Sequence, residues 1–196
     1  MKKDLTPFYP PLGPQPSRTP LYAPYPVTLV MKEKVLSLSG DDFKVETSDG
    51  AQILKVKGKY VSIRDKKKFK DASGRELFTL SNKMLKLHKS FKAQSPDGHD
   101  FVVKGHFSLA SSKSSIEFTN HADGAPVELR LKGDWFDRKA SIKLGDRPVA
   151  HITRKLINGR ELFFDKQTYF VSVAPNVDLS LIAAICVCLD ERENED

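Results

Sequence analysis

Two basic segments carry the residue types with the clearest chemistry. "RDKKKFK" holds Arg64, Lys66, Lys67, Lys68 and Lys70, and "NKMLKLHKSFK" adds Lys83, Lys86, Lys89 and Lys92. An ammonium group acts as a point charge toward phosphate, and at an anionic membrane each is worth about 1 kcal/mol. If the two segments are neighbours in the fold, they form one positive surface. Arg64, Lys66, Lys67, Lys68, Lys70, Lys83, Lys86 and Lys89 are its candidate anionic-phospholipid ligands. A second reading stays open, because lysines on exposed strand edges also prevent edge-to-edge aggregation. Aromatic residues do not interleave with these lysines as a base-stacking platform requires. Nucleic acid therefore ranks below a membrane surface as a partner.

Other chemistries find little support. His88, His99, His106, His121 and His151 fall in neither H-x-H nor H-E-x-x-H spacing. Cys186 and Cys188 have no ligand companions. No metal and no cofactor is expected. G-x-S-x-G, Walker A and G-x-G-x-x-G patterns are absent, so no catalytic residue is assigned and a non-enzymatic protein is expected. Two cysteines make no disulfide framework and suit a reducing compartment: the cytoplasm, with peripheral membrane association, or the nucleus. The opening "MKKDLTPFYPP" has no apolar segment behind its lysines, unlike a secretory signal.

The elements that position these residues follow from composition and period. A chain of 196 residues supports one substantial core and is read as a monomer. Its net charge of +7 favours anionic partners and equally describes a lysine-rich soluble surface. Eight of the twelve prolines fall in residues 1–26. Residues 1–21 should therefore form an extended or disordered arm. Its P-x-x-P spacings, Pro7–Pro10 and Pro11–Pro14, would suit an SH3 or WW partner.

Beyond Pro26 the texture changes to a period of two. "ILKVKG" alternates Leu54 and Val56 with Lys55 and Lys57, and "VELRLKG" alternates Val127, Leu129 and Leu131 with charged residues. That pattern marks strands with one buried and one wet face. Between strands a turn recurs, centred on Gly50, Gly74, Gly98, Gly124 and Gly159, with a variant "LGDRP". Asp, Ser or Asn before Gly suits a tight hairpin. Six hairpins predict about twelve antiparallel strands, and a sheet of that size curls or closes.

A barrel that wide has an interior its wall cannot fill. The candidate filler is "DLSLIAAICVCL", a predicted helix over about 178–190, with Leu179, Leu181, Ile182, Ile185, Val187 and Leu189 as its core residues. Asn176 or Asp178 can cap it. A helix apolar all round must be buried, and the eleven residues Leu179–Leu189, of which only Ser180 is polar, reach only about half a bilayer. The closing "DERENED" is expected to face water, with 193–196 an acidic tail.

Several of these segments resemble the LURP-one-related proteins, a branch of the tubby C-terminal-like superfamily. They are "YAPYPVTLVMKEK", "FKVETSDGAQILKVKG", "IRDKKKFKDASGRELFTLSNKMLKLH", "KGDWFDRKASI" and "FVSVAPNVDLSLIAAICVCLD". Gly133, Trp135 and Arg138, and then Pro175, Val177 and Asp178, match family habits. The resemblance covers roughly residues 22–192. It implies a mainly β fold, a tubby-like closed antiparallel barrel of about twelve strands around a central hydrophobic C-terminal helix. It also implies kinship with phosphoinositide-binding tubby proteins and with phospholipid scramblases. Plant members are associated with pathogen defence, and no catalytic residues carry over. The last helix departs from scramblases in lacking the length and basic flank of an anchor, which speaks against scrambling. Truncation before Asp178 is expected to yield an insoluble, unfolded chain. A soluble barrel after that truncation would show the helix to be dispensable to the core.

Overall fold

The computed structural model describes residues 4–17, 20–32, 43–59, 66–85, 88–106, 113–134, 139–153 and 168–193. The alternating segments become twelve strands: β1 (Val27–Lys32), β2 (Phe43–Thr47), β3 (Gln52–Lys59), β4 (Lys66–Asp71), β5 (Glu76–Leu85) and β6 (His88–Gln94), followed by β7 (Phe101–His106), β8 (Lys113–Thr119), β9 (Pro126–Asp134), β10 (Lys139–Leu144), β11 (Arg147–Thr153) and β12 (Thr168–Val173). Each strand pairs antiparallel with the next, and β1 closes the barrel against β12, with Leu29 opposite Val171. Closure removes every free edge, which answers the aggregation hazard of a long sheet.

The period of two sorts the side chains. Leu54, Val56, Phe69 and Phe78 are fully buried, and the Phe69 and Phe78 rings stack with centroids 4.7 Å apart. Five turns, at Gly50, Gly74, Gly98, Gly124 and Gly145, carry their glycines at positive φ and lie at one end of the barrel. The expected turn at Gly159 lies outside the described residues. Asp123 illustrates the turn chemistry: its carboxylate accepts the Ala125 N–H at 3.1 Å and the Asn120 side-chain N–H at 2.8 Å. Those bonds, the backbone one first, hold its carboxyl below the usual range.

Helix α1 (Leu179–Glu193) runs through the interior from the turn end. Leu179, Leu181, Ile182, Ile185, Val187 and Leu189 are all buried, as are the Cys186 and Cys188 thiols. Asp178 is the cap. Its Oδ1 accepts the Ser180 N–H at 2.9 Å and the Ser180 hydroxyl at 2.6 Å. Burial pushes the Asp178 carboxyl upward, against the pull of these bonds. The acidic end corrects expectation. Asp190 is buried and accepts the Tyr169 hydroxyl at 2.6 Å, and Glu191 pairs with Lys67. These donors offset two carboxylates at the helix end where the dipole disfavours them. Among the described residues no helix is long and apolar enough to cross a membrane.

The proline arm also differs from expectation. Residues 4–17 form neither helix nor long strand, as their prolines require, but they are packed and not loose. Phe8, Leu12 and Leu21 belong to the core. The Leu12 N–H donates to Asn176 O at 2.9 Å, and Leu12 O accepts the Asp178 N–H at 3.0 Å. Gln15 N–H donates to Asp178 Oδ2 at 3.2 Å, so arm and helix share one carboxylate. Gly13 permits this approach, because a Cβ there would lie 2.2 Å from the Asp178 Cβ. Pro7 and Pro10 are exposed, whereas Pro14 is buried, so the Pro11–Pro14 register is taken up by the barrel end itself. Leu12→Ala is expected to lower unfolding free energy by about 2–4 kcal/mol in urea titration. Tyr9→Ala, at a side chain 78% exposed, should change it by less than ~0.5 kcal/mol. Equal, small effects would show the arm to be a free linker.

Candidate functional site

The barrel register builds a positive face from β2, β3 and β4. On β4, Lys66 is exposed and Lys68 and Lys70 are half-buried, alternating with the inward Lys67 and Phe69. On the neighbouring strands Lys44 and Lys57 are exposed and Lys55 half-buried. Pairing then sets lysine against lysine: Lys44 opposite Lys55, Lys55 opposite Lys70, and Lys57 opposite Lys68. Side chains directly opposite one another lie about 5 Å apart at Cβ, and like charges there are destabilising. An anion laid across the rows would relieve that repulsion.

Glu76, at the start of β5, supplies a counter-charge. Its Oε2 lies 2.9 Å from Lys68 Nζ, its Oε1 accepts the Thr79 hydroxyl at 3.1 Å, and it stands opposite Lys70 in the register. The Lys68 bond first, then the Thr79 bond, holds its carboxyl below the usual glutamate range. The face continues past β5, where Lys66 stands opposite Ser81 and Ser81 opposite Lys92. Lys92 is 3.5 Å from Asp100.

The residues expected from sequence divide in three. Lys66, Lys68 and Lys70 share the outer face. Lys67 does not: it points inward to Glu191, because a strand cannot present neighbouring residues on one side. Arg64 and Lys86, and the side chains of Lys83 and Lys89, lie outside the described residues. The two basic segments are neighbours, on consecutive strands β4, β5 and β6. Sequence reasoning missed Lys44, Lys55 and Lys57 as site residues. Their signal was present in the alternation of "FKVET" and "ILKVKG", but pairing with β4 was not.

Other arrangements are sparse. Ser141 Oγ and His151 Nδ1 lie 2.9 Å apart across β10 and β11, and the His99 and His121 rings meet edge-on at 5.0 Å. Among the described residues no group of three ligating side chains could hold a metal ion.

A closed twelve-stranded antiparallel barrel around an apolar C-terminal helix is a defined class of small protein. A solved X-ray structure of an Arabidopsis thaliana protein has it with a TM-score of 0.56 at 22% identity, over 88% of this chain and 94% of that one. The LURP-one-related family model matches residues 27–190, and the chain belongs to that family. It is 31% identical to Protein LURP-one-related 15 of Arabidopsis thaliana, over 89% of this chain and 83% of the relative. Protein LURP-one-related 10 and Protein LURP1 of the same plant are each 28% identical, covering 89% and 87% of this chain and 94% and 86% of their own lengths. The described part of the Gly133 motif has a physical reason: a Cβ at Gly133 would stand 2.5 Å from the Lys139 carbonyl oxygen of β10.

The inward and outward lysines of β4 should respond differently to truncation. Lys67→Ala removes the ammonium paired with the part-buried Glu191 carboxylate and is expected to cost roughly 3 kcal/mol in thermal or urea unfolding. Lys68→Ala should cost less than about 1 kcal/mol. Equal costs would place both side chains in the same environment, contrary to the register.

Proposed function

We propose that this protein is a non-enzymatic binding protein whose barrel wall engages anionic phospholipid, with phosphoinositides as the preferred headgroups. The observation that supports the reading is the cross-strand opposition of Lys44, Lys55, Lys57, Lys68 and Lys70 on one outer face. A sheet built for stability alone gains by placing opposite charges in such pairs. Here Glu76 answers Lys68, and the rows as a whole still concentrate positive charge that an anionic surface would meet. Five lysines at about 1 kcal/mol each give roughly 5 kcal/mol at an anionic surface, a weak and reversible association. The helix remains inside the barrel throughout, so attachment is peripheral and needs no insertion.

Co-sedimentation with phosphatidylcholine vesicles, with and without phosphoinositide, tests the reading. Binding is expected only to the anionic vesicles, and it should weaken steeply as salt shortens the Debye length. The combined substitution Lys55→Gln, Lys57→Gln and Lys70→Gln should lower affinity on the order of a hundredfold. No sedimentation of the wild-type protein at low salt, or an unchanged affinity in the triple variant, would sink the proposal.

A further inference from the structure

The Glu76 carboxylate occupies the place that an anionic ligand would take on the lysine face. It is held by two groups from two strands, the Lys68 ammonium at 2.9 Å and the Thr79 hydroxyl at 3.1 Å, and Lys70 stands opposite it in the strand register. Lys57 stands opposite Lys68 on the far side, so the position borders the most crowded part of the basic rows. A carboxylate held by an ammonium and a hydroxyl has the donor pattern of a phosphate monoester site, since both are oxyanions that accept from the same donors.

We infer that Lys68, Thr79 and Lys70 form a phosphate position for a lipid headgroup, and that Glu76 is its built-in competitor. The inference rests on the phospholipid reading of the same face. Glu76 stabilises the empty face by neutralising Lys68. It must give way when a phosphate arrives, and its displacement weakens binding. A ligand of higher charge than a single carboxylate displaces it most readily. The device therefore favours polyphosphorylated headgroups over singly charged lipids such as phosphatidylserine. Rotating a glutamate side chain into water needs no backbone movement, so exchange at this position is local to the β4–β5 pair.

The test compares Glu76→Gln with Glu117→Gln in the full-length chain. Glu117 lies on β8, 2.6 Å from Lys104, and its removal makes the same change in net charge away from the lysine face. Each variant loses one surface ion pair, so both should stay folded. The probes are phosphatidylcholine vesicles carrying phosphoinositide, vesicles carrying phosphatidylserine, and soluble inositol phosphate. Glu76→Gln is expected to bind phosphoinositide vesicles roughly threefold more tightly than wild type, the scale of one exposed ion pair, with Glu117→Gln close to wild type. The gap between phosphoinositide and phosphatidylserine should narrow in Glu76→Gln. Equal gains in the two variants would overturn the inference, because net charge alone would explain them. Stronger binding of soluble inositol phosphate without stronger vesicle binding would overturn the assignment to lipid. If neither wild type nor Glu76→Gln binds any probe, both this inference and the phospholipid reading fall. If wild type binds nothing while Glu76→Gln binds vesicles, the phospholipid reading of wild type falls, and this inference, which rests on it, falls too.

Discussion

A closed barrel of twelve strands encloses more space than its own wall can fill, and α1 fills it. Everything else in the fold serves that packing. The helix is apolar on all sides because every side meets a strand. Its small residues, Ala183, Ala184, Cys186 and Cys188, are fully buried, which lets backbone and wall approach closely. A chain whose last segment completes the core cannot finish folding until that segment is present. The apolarity that suggests a membrane tail is the consequence of solvent exclusion inside the protein.

The two ends of the helix are sealed by different chemistry. At its start, one carboxylate serves both helix and arm: Asp178 accepts from Ser180, Leu181 and Gln15, and Gly13 is packed against it. At its end, Lys67 and Tyr169 receive the acidic residues. Buried charges are tolerated only when paired, so these contacts fix where the helix begins and stops within the barrel. Tyr22 adds a phenol whose hydroxyl donates to Gln15 O at 2.6 Å, and burial, with the Asp178 charge beside it, pushes its ionisation upward. The arm is thereby part of the folded unit.

With the interior committed to packing, the lysines sort between an outer face and the helix end. The outer face of β2–β4 concentrates ammonium groups because three alternating strands happen to be neighbours in register. β4 also shows how one short run of lysines serves two purposes. Lys66, Lys68 and Lys70 charge the surface, while Lys67, one residue away, neutralises the helix end. The charge of the surface and the stability of the core are therefore linked through a single strand.

Much of the fold was legible in the residues. The period of two announced the strands, the recurring glycine turns announced their number, and the all-apolar helix announced a closed space around it. Local chemistry decides each of these, so local sequence reveals them. The candidate site was half legible. "KKKFK" announced positive charge, but which lysines share a face depends on the pleat, and which lysines confront one another depends on pairing between segments far apart in sequence. Lys44, Lys55 and Lys57 joined the face only through register. Lys67 left it because successive residues on a strand point to opposite sides. The arm was misread for a related reason: prolines dictate an extended backbone, but whether that backbone is free or packed depends on a partner surface. Here the partner is formed by Asn120, Pro175, Asn176 and Asp178, brought together only when the barrel closes. The sequence by itself determined the elements and the net charge. The tertiary structure decided which side chains meet, because contact between distant segments is a property of the closed barrel and not of any segment within it.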